Sequence, residues 1–264
     1  MTNQQVSSNG NISASGFFTS LQGNVEAVGT ATGTINGNIV QNAAMRRLPG
    51  SSVFDYYLDN GTVIPVSSIP SVNGIFTIDK RVISPQLNPF GNSNPEGIYV
   101  IYCAGQQLCI KNSRIMGTLV LIDPAPNSSL EGSLRWDAAV TNYPTLLVKG
   151  GLVIKSSSVS LSESTLVTNF NPALAPYMGL SDADQIDTYP SEINGIVYLT
   201  DKLDASQDFL ESVFRGVTIC GAINATSSCR FNYRSLLFDK PPPGFSSGNP
   251  MAVSAGSRRR ETLP

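Results

Sequence analysis

The stretch Asp182-Ala-Asp184-Gln-Ile-Asp187 sets three carboxylates close together in a loop-forming region. Oxygen ligands at that spacing suit calcium, a hard cation that takes carboxylates and carbonyls from an irregular loop. The stretch lacks the glycine at the sixth position and the glutamate at the twelfth that an EF-hand loop needs. The same residues therefore also read as a solvated acidic loop. Calcium at Asp182, Asp184 and Asp187 is the one metal or cofactor the sequence suggests.

Other chemistries are easier to exclude. The chain has no histidine, which removes Ser-His-Asp and Cys-His catalysis, imidazole general bases and histidine metal sites. No Gly-Lys-Ser/Thr motif or dinucleotide fingerprint follows a strand. The net charge of −2 gives no reason to expect nucleic acid. Arg258-Arg-Arg260, beside Glu261, reads as a solvated tail. Glycosidase chemistry needs two carboxylates ~5–10 Å apart across a sugar, and Glu96, Asp123, Glu131 and Asp137 are scattered without a motif. Arg114 and Arg135 lie near motif glycines, where they could face an acidic polysaccharide or simply solvent. Tyr99, Tyr102, Trp136, Tyr143 and Tyr198 could form a sugar platform or pack in core and edge positions. No catalytic residue is assigned, and the chain is expected not to be an enzyme.

The four cysteines form two local pairs, Cys103/Cys109 and Cys220/Cys229. An even count in a β-rich chain is compatible with two disulfides and an oxidising compartment. Buried free thiols are the alternative. The pair spacings are too wide for a typical four-thiolate zinc site.

The elements that must position these groups show in a repeat. Gly-Asn-(Ile/Val) starts at Gly10, Gly23 and Gly37. A looser form, apolar-x-Gly before an apolar run, places glycines at Gly23, Gly37, Gly117, Gly132, Gly150, Gly195 and Gly216. Neighbouring intervals of 14, 15, 18 and 21 residues approach one solenoid coil, and gaps of 80 and 45 would hold insertions. A coil needs glycine at corners of close backbone stacking and alternating inward apolar residues after them. Asparagine beside the glycine can stack on its copy one coil away. Charged residues are only 14% of the chain, against roughly 25% in an average soluble domain. The sequence therefore predicts an all-β chain, a right-handed parallel β-helix (solenoid) with irregular loops and one or two short helices.

Five segments follow. Residues 1–8 read as a disordered N-terminus and 9–45 as Gly/Asn-rich β coils. Residues 46–95 read as a linker with short strands and a helix over 52–58, with Ser52 as N-cap. Residues 96–245 carry the main solenoid, with a long loop at 169–191, and 246–264 read as a disordered tail. Residues 201–213 are the best candidate for a second helix, with Leu203, Phe209, Leu210 and Val213 on one face.

The phrases SVFDYY, ISPQLNPFGNSNPEGIYVIYC, RIMGTLVLI, NYPTLLVKGGLVI, DTYPSEINGIVYL and PPPGF occur in this order over residues 50–245. This order resembles uncharacterised bacterial surface proteins, pilin-like or pilus-associated chains with a β-solenoid body and an N-terminal membrane helix. The GN(I/V) coils are similar to the repeats of bactofilin-type polymer-forming proteins. The resemblance implies a structural or adhesive module at the cell surface, outside the cytoplasm. It implies other surface proteins or polysaccharide as partners, self-association, and membrane contact only through a segment outside this chain. The start MTNQQVSSNG is not read as a signal peptide. A carbohydrate-binding or carbohydrate-cleaving β-helix, with calcium, and a cytoplasmic polymer-forming scaffold are the alternatives.

Overall fold

Hydrogen bonds that join residues 19, 20 or 21 apart run throughout the body of the chain. They follow from strands stacked in parallel, each on the strand roughly one rung earlier. The computed structural model describes residues 5–14, 21–205, 211–224, 229–232 and 240–245. Among these are 22 strands and two short helices, and the fold is all-β.

Three parallel ladders organise residues 62–232. The first aligns Val63, Val100, Val120, Leu147, Tyr198 and Ile219. The second aligns Thr77, Cys109, Ser129, Val153, Asp204 and Asn224. The third aligns Ile83, Ile115, Trp136, Ile193, Phe214 and Phe231. Period-2 alternation sends one set of side chains inward. Ile83, Ile115, Trp136, Ile193 and Phe214 all belong to the main core, and Phe231 packs against it. Identical apolar positions thus stack on one another, which removes large side chains from water at about 1.5–3 kcal/mol each. Trp136 is fully buried and its Nε1 donates to Gly117 O at 3.0 Å, so its polar edge is satisfied.

The glycine pattern corresponds to corners of this stack. A Cβ on Gly117 would lie 2.2 Å from Gly97 O, and one on Gly216 would lie 2.1 Å from Gly195 O. At Gly117 and Gly216 backbone rests on backbone and no side chain fits, whereas a Cβ on Gly195 would meet the Thr145 side chain at 2.7 Å. Gly132 and Gly150 serve other corners, against Asn112 and Pro124. In the N-terminal strands Gly37 stacks on Gly23, and Asn38 N donates to Asn24 Oδ1 at 3.2 Å. Gly10 does not join that column: Gly29 N donates to Gly10 O, on a different corner.

Several expectations are corrected. Of the stretch 1–8, expected to be disordered, Gln5–Ser8 form a strand paired with Asn24–Ala27, and 1–4 lie outside the described residues. The main sheet starts at Thr62–Val63, which pairs directly with Ile98–Tyr102, well before residue 96. The helix expected over 201–213 is not found among the described residues of that span: strands Glu192–Asp204 and Ser212–Asn224 take its two ends, and 206–210 lie outside the described residues. Leu203 enters the main core by strand alternation with Lys202 and Asp204. The helix near 52–58 is present as Val53–Asn60, although Ser52 makes no side-chain capping bond. It covers the outer side of the first ladder through Val53, Phe54 and Tyr57. The tail at 246–264 lies outside the described residues.

The stretch 84–97 is drawn into the body. Phe90 enters the main core, and Tyr99 OH donates to Ser84 O at 2.6 Å while accepting from Asn94 N at 3.1 Å. The largest excursion runs from Ser158 to Ser191, between strands Leu152–Ser157 and Glu192–Asp204.

Candidate functional site

This excursion leaves and returns through an antiparallel pair, Leu161–Ser162 with Thr188–Tyr189. Ser162 Oγ accepts from Thr165 N and caps the short helix Glu163–Leu166. Glu163 is fully buried. Its Oε1 accepts from Phe170 N and from Tyr189 OH at 2.9 Å, and its Oε2 accepts from Asp187 N at 3.1 Å. A small second core of Val82, Leu161, Phe170, Ala175 and Tyr189 lies beneath.

Arg114 pins the excursion to the third ladder. It is 3% exposed, and its guanidinium donates to Phe170 O and Ala175 O at 2.6 Å and to Pro176 O at 2.7 Å. Burial lowers its pKa, partly offset by the Tyr189, Asp137 and Tyr177 groups nearby. The Tyr177 ring receives Arg114 on one side at 5.2 Å and Arg135 at 5.5 Å. Arg135 is held by Asp137 through two bonds and by Glu192 at 2.6 Å. Burial alone would lower its pKa, but Asp137, Tyr177 and Glu192 together outweigh that and raise it. Glu192 is opposed by burial and held low by Arg215, Asn194 and Arg135. Both arginines are thus committed to holding structure, and neither is presented to an acidic substrate.

Beyond these anchors the carboxylates converge. Glu163, Asp182 and Asp184 each bring one ligand oxygen within 4.8 Å of the others. Asn171 Nδ2 donates to Asp182 Oδ2 at 3.1 Å and to Asp187 Oδ2 at 3.0 Å. Asn169 Nδ2 donates to Asp182 O at 2.8 Å, and Asp184 Oδ1 accepts from Ile186 N at 3.1 Å. The structure therefore draws together Asp182 and Asp184 of the three aspartates expected from sequence and adds Glu163, while Asp187 lies outside that group and is linked to Asp182 through the Asn171 amide. Glu163 is distant in the chain, and its only sequence signal is a serine-led helix start.

The remaining candidates disperse. Glu96 accepts from Tyr143 OH at 3.2 Å, Glu131 from Ser129 Oγ at 2.6 Å, and Asp137 is paired with Arg135. Asp123 sits at an exposed corner with φ 52°. Tyr99, Trp136, Tyr143 and Tyr198 are buried, so no sugar platform forms from them, and Tyr102 alone is exposed. A cavity of about 400 Å3 beside Tyr189 is lined by Arg215 and Arg230, both already in ion pairs with Glu192 and Glu211.

All four cysteines are free thiols. Cys103 lies in the main core, whereas Cys109 follows Leu108 and precedes Ile110, both in that core, and meets Ser129 on the opposite side of the strand. A Cys103–Cys109 disulfide would require the strand to turn over. Cys220 and Cys229 both pack against the main core. Burial pushes the Cys103, Cys220 and Cys229 thiols up to about 11.

No family model, curated protein or solved structure matches this chain. No helix among the described residues is long and apolar enough to cross a membrane.

Proposed function

We propose that the chain is a right-handed parallel β-solenoid and acts as a non-enzymatic structural or adhesive module, displayed outside the cytoplasm. The observation that carries this reading is the ladder Ile83–Ile115–Trp136–Ile193–Phe214–Phe231, six like positions stacked in parallel register. Stacked rungs give a stiff body whose insertions are free to carry recognition. The 158–191 excursion is the recognition element. Its base is pinned by Arg114, and its tip exposes Met178, Leu180 and Ile186, which are 86%, 74% and 74% accessible. Exposed apolar groups on a polar-anchored loop suit contact with another protein. The stretch 84–97 is the weaker candidate, because Phe90 and Asn94 tie it into the body.

Immunogold labelling of intact source cells, with permeabilised cells as control, tests this function. Label on the surface or on appendages is the expected result. Label only after permeabilisation would overturn the display reading in favour of an internal polymer-forming scaffold.

A further inference from the structure

Asparagine followed by glycine can modify itself. The glycine nitrogen attacks the asparagine side-chain carbonyl, and no side chain on the glycine obstructs it. Five such steps occur in the chain, at Asn9, Asn36, Asn60, Asn73 and Asn194. Four are held against it. Asn9 exchanges two bonds with Arg46: its Nδ2 donates to Arg46 O at 2.6 Å, and its Oδ1 accepts from Arg46 N at 2.8 Å. Asn36 lies in a parallel rung, and Gly37 after it rests on the Gly23 backbone. Asn60 Nδ2 donates to Tyr56 O at 2.8 Å, and Gly61 is tight against Tyr57 O and the Val100 side chain. Asn194 is 7% exposed, stacks between Asp137 and Arg215, and donates from Nδ2 to Asp137 and Glu192.

Asn73 is different. With Gly74 it forms the two-residue turn between strands Ser71–Val72 and Ile75–Asp79. Its φ is 52° and that of Gly74 is 78°, the left-handed pair that such hairpin turns require. All four residues 71–74 are exposed. Nothing lies within 4 Å of where a Gly74 Cβ would sit, and among the described residues no hydrogen bond holds the Asn73 side chain. Ring closure needs the Asn73-Gly74 backbone to rotate, so the hairpin must open first. Opening is cheap, because the covering strand is two residues long and pairs only with its hairpin partner.

We propose that Asn73 is a self-modifying site whose conversion uncovers an edge of the main sheet. Gly74 N attacks Asn73 Cγ, and the new C–N bond closes a succinimide ring. The Cγ–Nδ2 bond breaks, and the leaving nitrogen takes the glycine amide proton and departs as ammonia. Water then adds to either ring carbonyl and opens the ring to an aspartyl or an isoaspartyl linkage. One water is consumed and one ammonia released, with no change in oxidation state. The isoaspartyl linkage puts an extra methylene in the backbone and a carboxylate beside it, and a two-residue hairpin turn has no slack for either. Strand Ser71–Val72 ends the main sheet, covering Ile75–Asp79 on the side away from Leu108–Met116. Its loss frees a row of backbone groups able to pair with another strand. The inference stands independently of where the protein is displayed.

The test ages the full chain in mildly alkaline buffer, both folded and in urea. Trypsin cleaves after Arg47 and Lys80, so one peptide carries both Asn60-Gly61 and Asn73-Gly74. Its fragment masses read amide-to-acid conversion at each step. In the folded chain, conversion at Asn73 is expected to run at least about tenfold faster than at Asn60, because opening a two-residue strand costs less than opening a helix end packed on the first ladder. In urea the two rates are expected to converge. Gly74→Ala is expected to keep the fold by circular dichroism and to slow conversion of Asn73 about tenfold. In the converted protein the Thr77 amide, which donates to Pro70 O at 2.7 Å, is expected to lose hydrogen-exchange protection while the Ile110 amide keeps its own. Equal rates at Asn60 and Asn73 in the folded chain would overturn the self-modifying site. So would no conversion of Asn73 in the folded chain while the chain in urea converts. Unchanged Thr77 protection after conversion would overturn the uncovering of the edge.

Discussion

Replacing Arg114 by methionine separates the excursion from the body. The guanidinium makes three bonds to carbonyls of residues 170, 175 and 176, and hydrogen bonds to a charged donor contribute about 1.5–3 kcal/mol each. Their gross sum is reduced by the cost of holding a buried cation with no carboxylate directly on it. Methionine keeps the aliphatic packing but leaves three carbonyls without a donor, so the docked state weakens by about 3 kcal/mol. That corresponds to about a 100-fold rise in the open population of the excursion. Amide hydrogen exchange reads this directly. The Phe170 and Asp187 amides, which donate to Glu163, should lose about 100-fold in protection. The amides of Ile110 and Leu130 in the body should be unchanged. Arg114→Lys should recover only part, because one ammonium lacks the planar fork that reaches separated carbonyls. Equal loss of protection in body and excursion, or no loss at Phe170, would refute the assignment of Arg114 as a local pin.

Three further outcomes follow from the geometry. Gly216→Ala sets a Cβ 2.1 Å from Gly195 O at φ 140° and should cost about 3–5 kcal/mol; Gly74→Ala, with open space around it at φ 78°, should cost about 1 kcal/mol, a contrast that urea unfolding resolves. The Cys103 thiol is raised by burial and then by Asp123, from an ordinary 9.0 to about 11; stability from keeping it neutral is complete below pH 9 and is lost as the unfolded chain ionises between pH 9 and 11, by at most about 2.5 kcal/mol, so urea midpoints at pH 8 and pH 11 should differ in that direction. On the outer side of the second ladder, Asp79, Lys111, Glu131 and Lys155 stack with alternating sign, with N–O distances of 3.9 Å and 3.8 Å in two pairs; Lys111→Met should shift the urea midpoint by less than about 1 kcal/mol equivalent, because such pairs are exposed.

The parts legible in the sequence were those with local signatures. Gly117 and Gly216 marked corners because close backbone stacking leaves no room for a side chain there. The proximity of Asp182 and Asp184 was legible from their spacing, whereas Asp187 lies outside their group. What escaped was set by tertiary contact. Glu163 joins the cluster across the excursion, and no short-range pattern carries that distance. Arg114 read as an exposed charge until a segment more than fifty residues away supplied its three acceptors. The stretch 201–213 misled because Leu203 and Val213 fit a helical face, while Leu203 also alternates with charged neighbours as a strand requires. The rung at Thr62–Val63 is only two residues long, too short for a periodicity of its own.

The ladder order is the foundation of the functional proposal, and a distance along it is the most direct test. Thr77 and Asn224 are the ends of a column of six aligned positions on the second ladder. Five steps at the spacing between neighbouring strands place them about 24 Å apart. Spin labels on Thr77→Cys and Asn224→Cys, with the four native cysteines replaced by serine, allow that distance to be read by double electron–electron resonance. A narrow distribution centred near 24 Å, widened only by the label arms, is the predicted result. A centre beyond about 40 Å, or two well-separated distances, would contradict the stacked order and with it the stiff display body.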